Sequence, residues 1–245
     1  MRELTSINNE LVKETSKLKD KKYRDLSGKF LVEGYHLVDM AKEYLEVVFV
    51  KDEKDYGRIG GVTYYLVNDE IIKKISQTQN SQGIIGVCHK KKEENIKSKN
   101  VIVLDNLQDP GNVGTIIRSA LAFGYHDIIL SNDSVDVYND KVIRSSQGAI
   151  FKMNILYQDI FKTIKDLKNK EYKIFGTALN NAKALSDICF STKNVIILGN
   201  EGSGIRNEIL ASTDENIFIE MNKDIDSLNV GVAGSIIMYE LAKNK

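Results

Sequence analysis

The sequence is short of the residues that build metal centres and disulfide frameworks. It has two cysteines, Cys88 and Cys189, far apart in the chain, and three histidines without the spacing of a zinc motif. Such sites need closely spaced pairs of these residues. We therefore expect no metal ion and reduced thiols.

Long apolar stretches are also missing. No run approaches the 18 apolar residues of a membrane-spanning helix, and the polar amino terminus lacks the apolar core of a secretory signal peptide. Charged residues make up 28% and hydrophobic residues 42% of the 245 positions, as in ordinary folded proteins. We expect a cytoplasmic protein with no membrane partner.

Proline occurs once, at Pro110, in the turn after the apolar run VIVLDNL at residues 101–107. That run predicts a buried strand, and the apolar residues after the turn follow the 3.6-residue period of a helix over residues 112–123. A strand, turn and helix of this kind place the helix start at the carboxyl edge of a sheet, where open α/β folds bind ligands.

Arg118 lies off the apolar face of this predicted helix. Because helical side chains lean toward the amino end, Arg118 is expected to pass over Gly114 and reach the turn at residues 109–112. The simpler alternative is a solvated surface arginine, which this stretch taken alone favours.

Apolar strands and helical patterns alternate along the rest of the chain. Continuous apolar strands such as VIILG predict an α/β fold with a mostly parallel sheet and helices on both faces. A smaller alternation at the front predicts a small α/β domain. The charged stretch between them has no apolar periodicity, so we place domains at residues 1–90 and 101–245 and a linker at 91–100.

The amino-terminal helical pattern, residues 4–22, is basic. Residues 13–29 contain seven basic and three acidic side chains. Such a strip can hold a phosphate backbone, although a charge run is more often a solvated helix face.

A glycine-rich turn, Gly199 to Ile205, follows the strand NVIILG. Phosphate-binding loops share this outline. Ile205 and Arg206 stand where a P-loop has Lys and Ser or Thr, however, and no third glycine completes a dinucleotide fingerprint. These departures count against an oxidoreductase or phosphotransferase. Glu201 would repel a phosphate but suits a cation such as Arg118 or a sulfonium.

The last motif is SLN, Ser227 to Asn229, before a helical pattern over residues 229–243. Ser227 or Asn229 could serve only as a helix cap. Glycines near the start of this helix cost roughly 1 kcal/mol relative to alanine. We expect another backbone to pack closely there.

In order and spacing these segments resemble the motifs of the SpoU/TrmH family of RNA ribose 2′-O-methyltransferases. Three motifs carry the resemblance: N-x-G-x-x-x-R at Asn112 to Arg118, G-x-E-x-x-G followed by a hydrophobic residue at Gly199 to Ile205, and SLN. They are weak singly and specific jointly. The resemblance covers residues 100–245, and the front is similar, more loosely, to the substrate-binding domain of many members. It implies a SPOUT fold with a carboxyl-terminal trefoil knot, a homodimer, and S-adenosyl-L-methionine as cofactor.

The resemblance also implies methyl transfer to the ribose 2′-hydroxyl of RNA. Ribosomal RNA is favoured over transfer RNA because the family's transfer-RNA enzymes commonly lack the front domain. Two alternatives stay open: an RNA-binding protein that keeps the fold without catalysis, and a transfer-RNA 2′-O-methyltransferase.

By the same resemblance, Arg118 would clamp the phosphate beside the target ribose and stabilise the developing alkoxide. Asn112 and Asn229 would orient the ribose or the arginine, Ser227 would assist, and Glu201 would hold the guanidinium. For Asn112 and Ser227, helix capping is an equally open interpretation.

The cofactor would be bound mainly by main-chain groups of segments that match the family pattern. Those positions are Thr177, Leu198, Gly199, Ile219 and Leu228. For the side chains of Ile219 and Leu228, ordinary core packing is the alternative. Glu220 replaces the family's usual proline, which relaxes the backbone before the cofactor loop.

In the front domain, Arg24 matches a position of the family's entry segment, and Arg24 and its basic neighbour Lys22 are expected to contact the RNA backbone. Glu33 lies in the same segment and is expected to be structural.

Overall fold

The computed structural model describes residues 1–222 and 224–243. They form two compact units. The first is Met1–Lys92 together with Tyr138–Phe151, and the second is Glu93–Val137 together with the described residues from Lys152 onward. The sequence had placed 138–151 in the second domain, so the observed division differs from the predicted one in that segment.

Aromatic packing explains the position of this segment. The rings of Phe30 and Tyr138 lie 4.6 Å apart, and the Tyr44 hydroxyl donates to the Phe151 carbonyl at 3.1 Å. Both ends of the segment are therefore anchored in the core of the first unit.

The first 92 residues form a five-stranded sheet with helices. In the order β1-β4-β3-β5-β2, β1, β4 and β3 run parallel, while β5 is antiparallel to both its neighbours. A small α/β domain was predicted here, and it is confirmed. The elements are β1 (Glu3–Leu4), α1 (Glu10–Lys17), α2 (Lys21–Ser27), β2 (Lys29–Glu33), α3 (Tyr35–Met40), β3 (Leu45–Val50), β4 (Thr63–Val67), α4 (Asp69–Ile75) and β5 (Ile84–His89).

The single helix predicted over residues 4–22 is two helices, because Asn9 caps α1 and Asp20 caps α2. Arg24 is only 4% exposed, and its Nη1 donates to the carbonyls of Leu18 at 3.0 Å and Lys19 at 2.7 Å. It therefore satisfies the carbonyls that the end of α1 leaves open. This burial corrects the prediction that Arg24 contacts RNA.

The second unit contains a seven-stranded sheet in which every neighbouring pair is parallel, in the order β10-β12-β9-β11-β6-β7-β8. The predicted parallel sheet is confirmed. The elements after β5 are β6 (Asn100–Leu104), α5 (Pro110–Ala122), β7 (Asp127–Ser131), α6 (Asp140–Ser145, in the first unit), β8 (Asn154–Gln158), α7 (Ile160–Asn169), β9 (Lys173–Thr177), β10 (Lys183–Ala184), β11 (Asn194–Leu198), α8 (Asn207–Leu210), β12 (Glu215–Phe218) and α9 (Val230–Lys243).

Helices cover both faces of this sheet, as predicted. On one face Val103 and Ile197 pack in a core with Ile164 of α7. On the other, α9 packs on α5 and brings Gly234 against Leu198 of β11. A Cβ at Gly234 would lie 2.6 Å from Leu198 Cδ1, so the missing side chain lets the helix approach this closely.

The strand order carries the chain back across the sheet. β11 lies between β9 and β6, and β12 lies on the far side of β9. A trefoil knot in this region stays a prediction.

In the part of the chain that the structure describes, no helix combines the length and apolarity needed to cross a bilayer. Nor do three or more His, Cys, Asp or Glu side chains in that part come together as a metal-binding group.

Glu33, at the end of β2, anchors the segment after α4. Its carboxylate accepts hydrogen bonds from the hydroxyls of Ser76 and Thr78, both at 2.7 Å, and from the amide of Gln77 at 2.9 Å. Burial raises the pKa of Glu33, but the hydrogen bonds outweigh it and hold that pKa below its ordinary value. The expected structural role is confirmed.

We expect Glu33→Gln to lower the free energy of unfolding by about 1–3 kcal/mol near neutral pH, because the ionised carboxylate accepts these bonds. A lowered folded-state pKa stabilises the protein above the unfolded-state pKa, and the stabilisation is lost as pH falls through the folded value. The difference from wild type should therefore close in acid.

Urea unfolding at neutral pH and below the usual glutamate pKa measures this difference. Glu43→Gln, at an exposed carboxylate of the same unit, is the control. An equal loss for Glu33→Gln at both pH values would contradict a role for the ionised form.

Candidate active site

The start of α5 is fixed by its own cap. The Asp109 carboxylate accepts the amide of Asn112 at 2.9 Å, and Pro110 lies in the first turn, where no amide donor is needed. Because Asp109 is the cap, the interpretation of Asn112 as a helix cap is wrong. The Asn112 carboxamide is left for contacts with other loops.

The loop between β11 and α8 is held by Asn200. Its backbone exchanges two hydrogen bonds with Gly204, at 3.0 and 2.9 Å, and its Oδ1 accepts the amides of Gly202 and Ser203 at 2.9 and 3.2 Å. Its Nδ2 donates to the carbonyl of Asn106 at 2.8 Å. These bonds fix the loop that carries Glu201.

Glu201 joins this loop to α5. Its Oε1 accepts Nδ2 of Asn112 at 3.0 Å and the amide of Asp109 at 3.3 Å. Burial raises the pKa of Glu201, but these hydrogen bonds outweigh it, so the pKa lies below the ordinary glutamate value. The carboxylate is therefore ionised at neutral pH.

Asn229 brings in the third motif. Its Oδ1 accepts the amides of Gly231 and Val232 at 2.9 and 3.3 Å, which caps α9, and its Nδ2 donates to Oδ1 of Asn112 at 2.9 Å. The residue is both a cap and a member of the site. Glu201, Asn112 and Asn229 thus form one hydrogen-bonded chain, which we call the amide bridge.

Arg118 and Ser227 are not in the amide bridge. Both are exposed, and neither side chain makes a hydrogen bond or ion pair within residues 1–222 and 224–243. Within the described part of one chain Glu201 does not hold the Arg118 guanidinium, whereas the reach of Arg118 toward the 109–112 turn stays a prediction. The Glu201 carboxylate meets Asn112 and Asp109 instead.

The positions predicted to bind a cofactor lie at the carboxyl edge of the parallel sheet. Thr177 and Leu198 are the last residues of β9 and β11, and Ile219 follows the end of β12. The parallel register places these ends side by side, and the Thr177 hydroxyl donates to the Ile197 carbonyl at 3.1 Å. Leu228, next to Asn229 in the chain, is half-buried.

Glu220 stands where the family motif usually has a proline, and its side chain makes a hydrogen bond. It is exposed, and its Oε2 accepts the Ser186 hydroxyl at 3.1 Å. This bond ties the segment after β12 to the one after β10.

Sequence reasoning missed Asp105 and Arg206, which form an ion pair in this unit with Nε and Nη2 both donating to Oδ1. A carboxylate inside the apolar run VIVLDNL was the signal for Asp105. Arg206 had been noted only as a departure from the P-loop pattern.

Gly199 allows the loop to fold back on itself. A Cβ at this position would lie 2.2 Å from both the Gly204 carbonyl carbon and the Ile205 nitrogen. Both atoms belong to the backbone, so no rotamer change can relieve the clash. At Gly202 the nearest atom to an added Cβ would be 3.6 Å away.

We expect Gly199→Ala to lower the free energy of unfolding by about 1–3 kcal/mol or more, because the backbone of the loop must move. Gly202→Ala, in the same loop, should change it by less than about 0.5 kcal/mol. Chemical denaturation of both variants measures the difference. Equal stabilities would show that the loop is not closely packed at Gly199.

Two family models match the chain: the SpoU rRNA Methylase family at residues 99–239 and the MRM3-like substrate binding domain at residues 9–86. The 23S rRNA (guanosine(2553)-2'-O)-methyltransferase RlmP of Bacillus subtilis is 34% identical, over 98% of this chain and 99% of its own. An uncharacterised tRNA/rRNA methyltransferase of Synechocystis is 30% identical, over 99% and 94%.

A solved structure has the same fold along the whole chain. The AdoMet-bound rRNA methyltransferase from Sinorhizobium meliloti superposes with a TM-score of 0.90 at 26% identity, covering 99% of this chain and 98% of its own. By its family match and by similarity along nearly its full length, the chain belongs to the SpoU rRNA methylase family.

Proposed function

We propose that this protein transfers a methyl group from S-adenosyl-L-methionine to a ribose 2′-hydroxyl of ribosomal RNA in the cytoplasm. Family membership gives the reaction class, and the similarity to RlmP spans both units. The observation that carries the proposal is the amide bridge. It joins all three motifs at the carboxyl edge of the parallel sheet, through hydrogen bonds of 2.9–3.0 Å.

The residues at this edge fit the cofactor. The ends of β9, β11 and β12 lie side by side, and Gly199 lets the loop after β11 fold back on itself at this edge. Glu201 supplies an ionised carboxylate, which favours a nearby sulfonium. When bound, S-adenosyl-L-methionine supplies an electrophilic methyl group. Thr177, Leu198, Gly199, Ile219 and Leu228 are the residues we propose to hold it.

The amide bridge leaves Asn112 able to bind a ribose. Each carboxamide carries two donor hydrogens and two acceptor lone pairs, and the bridge uses one of each. One donor and one acceptor therefore stay available in a fixed orientation. A 2′-hydroxyl both donates and accepts, so Asn112 matches RNA better than DNA.

Arg118 supplies a permanent positive charge. A guanidinium stays protonated in proteins and is therefore a poor base, but it can clamp a phosphate and stabilise the developing alkoxide. With the cofactor bound, the hydroxyl proton would leave to water or to an RNA phosphate while Arg118 stabilises the alkoxide. In this proposal Ser227 assists from the loop before Asn229.

We also infer a homodimer. Arg118 is an exposed cation on α5 without an ion pair in the described part of the chain. On α9, which packs against α5, Val232 and Tyr239 are 46% and 48% exposed. A second copy would cover these apolar side chains, and Arg118 of one copy would then complete the site of the other.

The proposed function is tested by transfer of a radiolabelled methyl group to ribosomal RNA and to transfer RNA in parallel. Labelling of ribosomal RNA is expected, and mapping 2′-O-methyl positions with and without the gene identifies the nucleotide. Labelling of transfer RNA alone would support the alternative substrate. A protein that binds RNA but transfers nothing would be the non-catalytic alternative.

Arg118→Ala should reduce transfer by about 100-fold or more, the loss expected when a transition-state charge contact is removed. Because Arg118 is exposed, the free energy of unfolding should change by less than about 0.5 kcal/mol. Lys162→Ala, at an exposed cation of α7, is the activity control. Light scattering reports whether both variants stay dimeric, and retained turnover would remove Arg118 from the mechanism.

Lys22 is exposed on α2, unlike Arg24. If it contacts an RNA phosphate, Lys22→Glu should weaken binding of a ribosomal RNA fragment and lower the slope of log affinity against log salt by about 1. Binding of S-adenosylhomocysteine should not change. Lys42→Glu, at an exposed lysine of the same unit, is the matched control. Equal salt slopes for the two variants would remove Lys22 from the RNA contact.

A further inference from the structure

A fully buried carboxylate lies one residue beyond the end of β6. Asp105 is 0% exposed, and its Oδ2 accepts the backbone amide of Arg206 at 2.9 Å. Its Oδ1 accepts Nε and Nη2 of Arg206 at 2.8 and 2.5 Å. One carboxylate therefore holds both the main chain and the side chain of the residue that ends the 199–206 loop.

Core packing does not explain this pair. Removing a carboxylate from water is costly, and apolar residues of similar volume often replace a buried ion pair without loss of stability. An ion pair also restricts the relative orientation of its two side chains, because a planar guanidinium and a carboxylate fit together in few geometries. The Arg206 side chain is 42% exposed, so it contributes little to the packing of the core.

The other end of the loop is anchored beside Asp105. Asn200 donates to the carbonyl of Asn106 at 2.8 Å, and Asn106 adopts a left-handed conformation with φ of 56°. Both anchors of the loop are thus consecutive residues that follow β6. Asp109 and Asn112, the two partners of Glu201, follow these anchors within a few residues.

We propose that Asp105 and Arg206 are positioning residues for methyl transfer. The pair fixes the loop so that Glu201 meets Asn112 and orients its carboxamide. Neither residue needs to touch RNA or cofactor, since both act through Glu201. The kinetic part of this inference rests on the proposed function, whereas its structural part does not.

Arg206→Met removes the two side-chain donors and keeps the stem, so kcat should fall about tenfold or more. Affinity for S-adenosylhomocysteine should change less than about threefold, because the strand ends are untouched. Arg206→Lys restores the charge without the fork and should recover part of kcat.

Lys168→Met is the control, because it breaks another ion pair of the second unit, Lys168 Nζ to Asp214 Oδ1 at 2.6 Å, outside the loop. It should leave kcat unchanged. Equal losses in Arg206→Met and Lys168→Met would overturn the proposal.

A double-mutant cycle with Glu201→Gln separates positioning from folding. If Arg206 acts through Glu201, adding Arg206→Met to Glu201→Gln should lower kcat little further. Two independent, multiplying losses would overturn the proposal, as would a fall in thermal stability that accounts for the whole loss of activity.

The carboxamide of Asn112 gives a readout that needs neither RNA nor cofactor. Its 15N–1H signals, assigned by their loss in Asn112→Ser, should shift or broaden in Arg206→Met and keep their wild-type positions in Lys168→Met. Unchanged signals in Arg206→Met would overturn the proposal. If wild type transfers no methyl group, the proposed function fails, while this measurement still decides the role of the pair.

Discussion

The Asn112 carboxamide is the point at which three distant parts of the chain meet. Its nitrogen donates to Glu201 and its oxygen accepts from Asn229. An aspartate in its place would set one carboxylate against another, and an apolar residue would remove both hydrogen bonds. Packing of α5 and α9 brings the helices together, and this amide links their amino-terminal ends to the loop after β11.

The sheet could be predicted because strand and helix periods are local. Apolar runs and helical spacing marked the strands and helices of the second unit. Residues 138–151 pack with the first unit because of long-range contacts such as that of Phe30 with Tyr138, which spacing does not show. The break between α1 and α2 was also missed, although Asn9 and Asp20 are ordinary capping residues. The charged amphipathic pattern continues across both caps, so the break was not recognised.

The environment of a charge was harder to predict than its position in the sequence. Arg24 and Lys22 lie in one basic strip, yet one is buried against carbonyls and the other is exposed. The pairing of Asp105 with Arg206 joins residues 101 positions apart. In each case the deciding contact is made by the fold, so composition and spacing carry no signal for it.

In the proposed reaction, Glu201 and Arg118 have separate roles. A direct pair between Glu201 and Arg118 would neutralise much of the cation that an anionic transition state needs. The Glu201 carboxylate is instead engaged by neutral donors, the Asn112 amide and the Asp109 backbone, and Arg118 stays unpaired in the described chain. Alignment therefore comes from neutral hydrogen bonds within one subunit, while the full charge of the guanidinium stays available for the RNA.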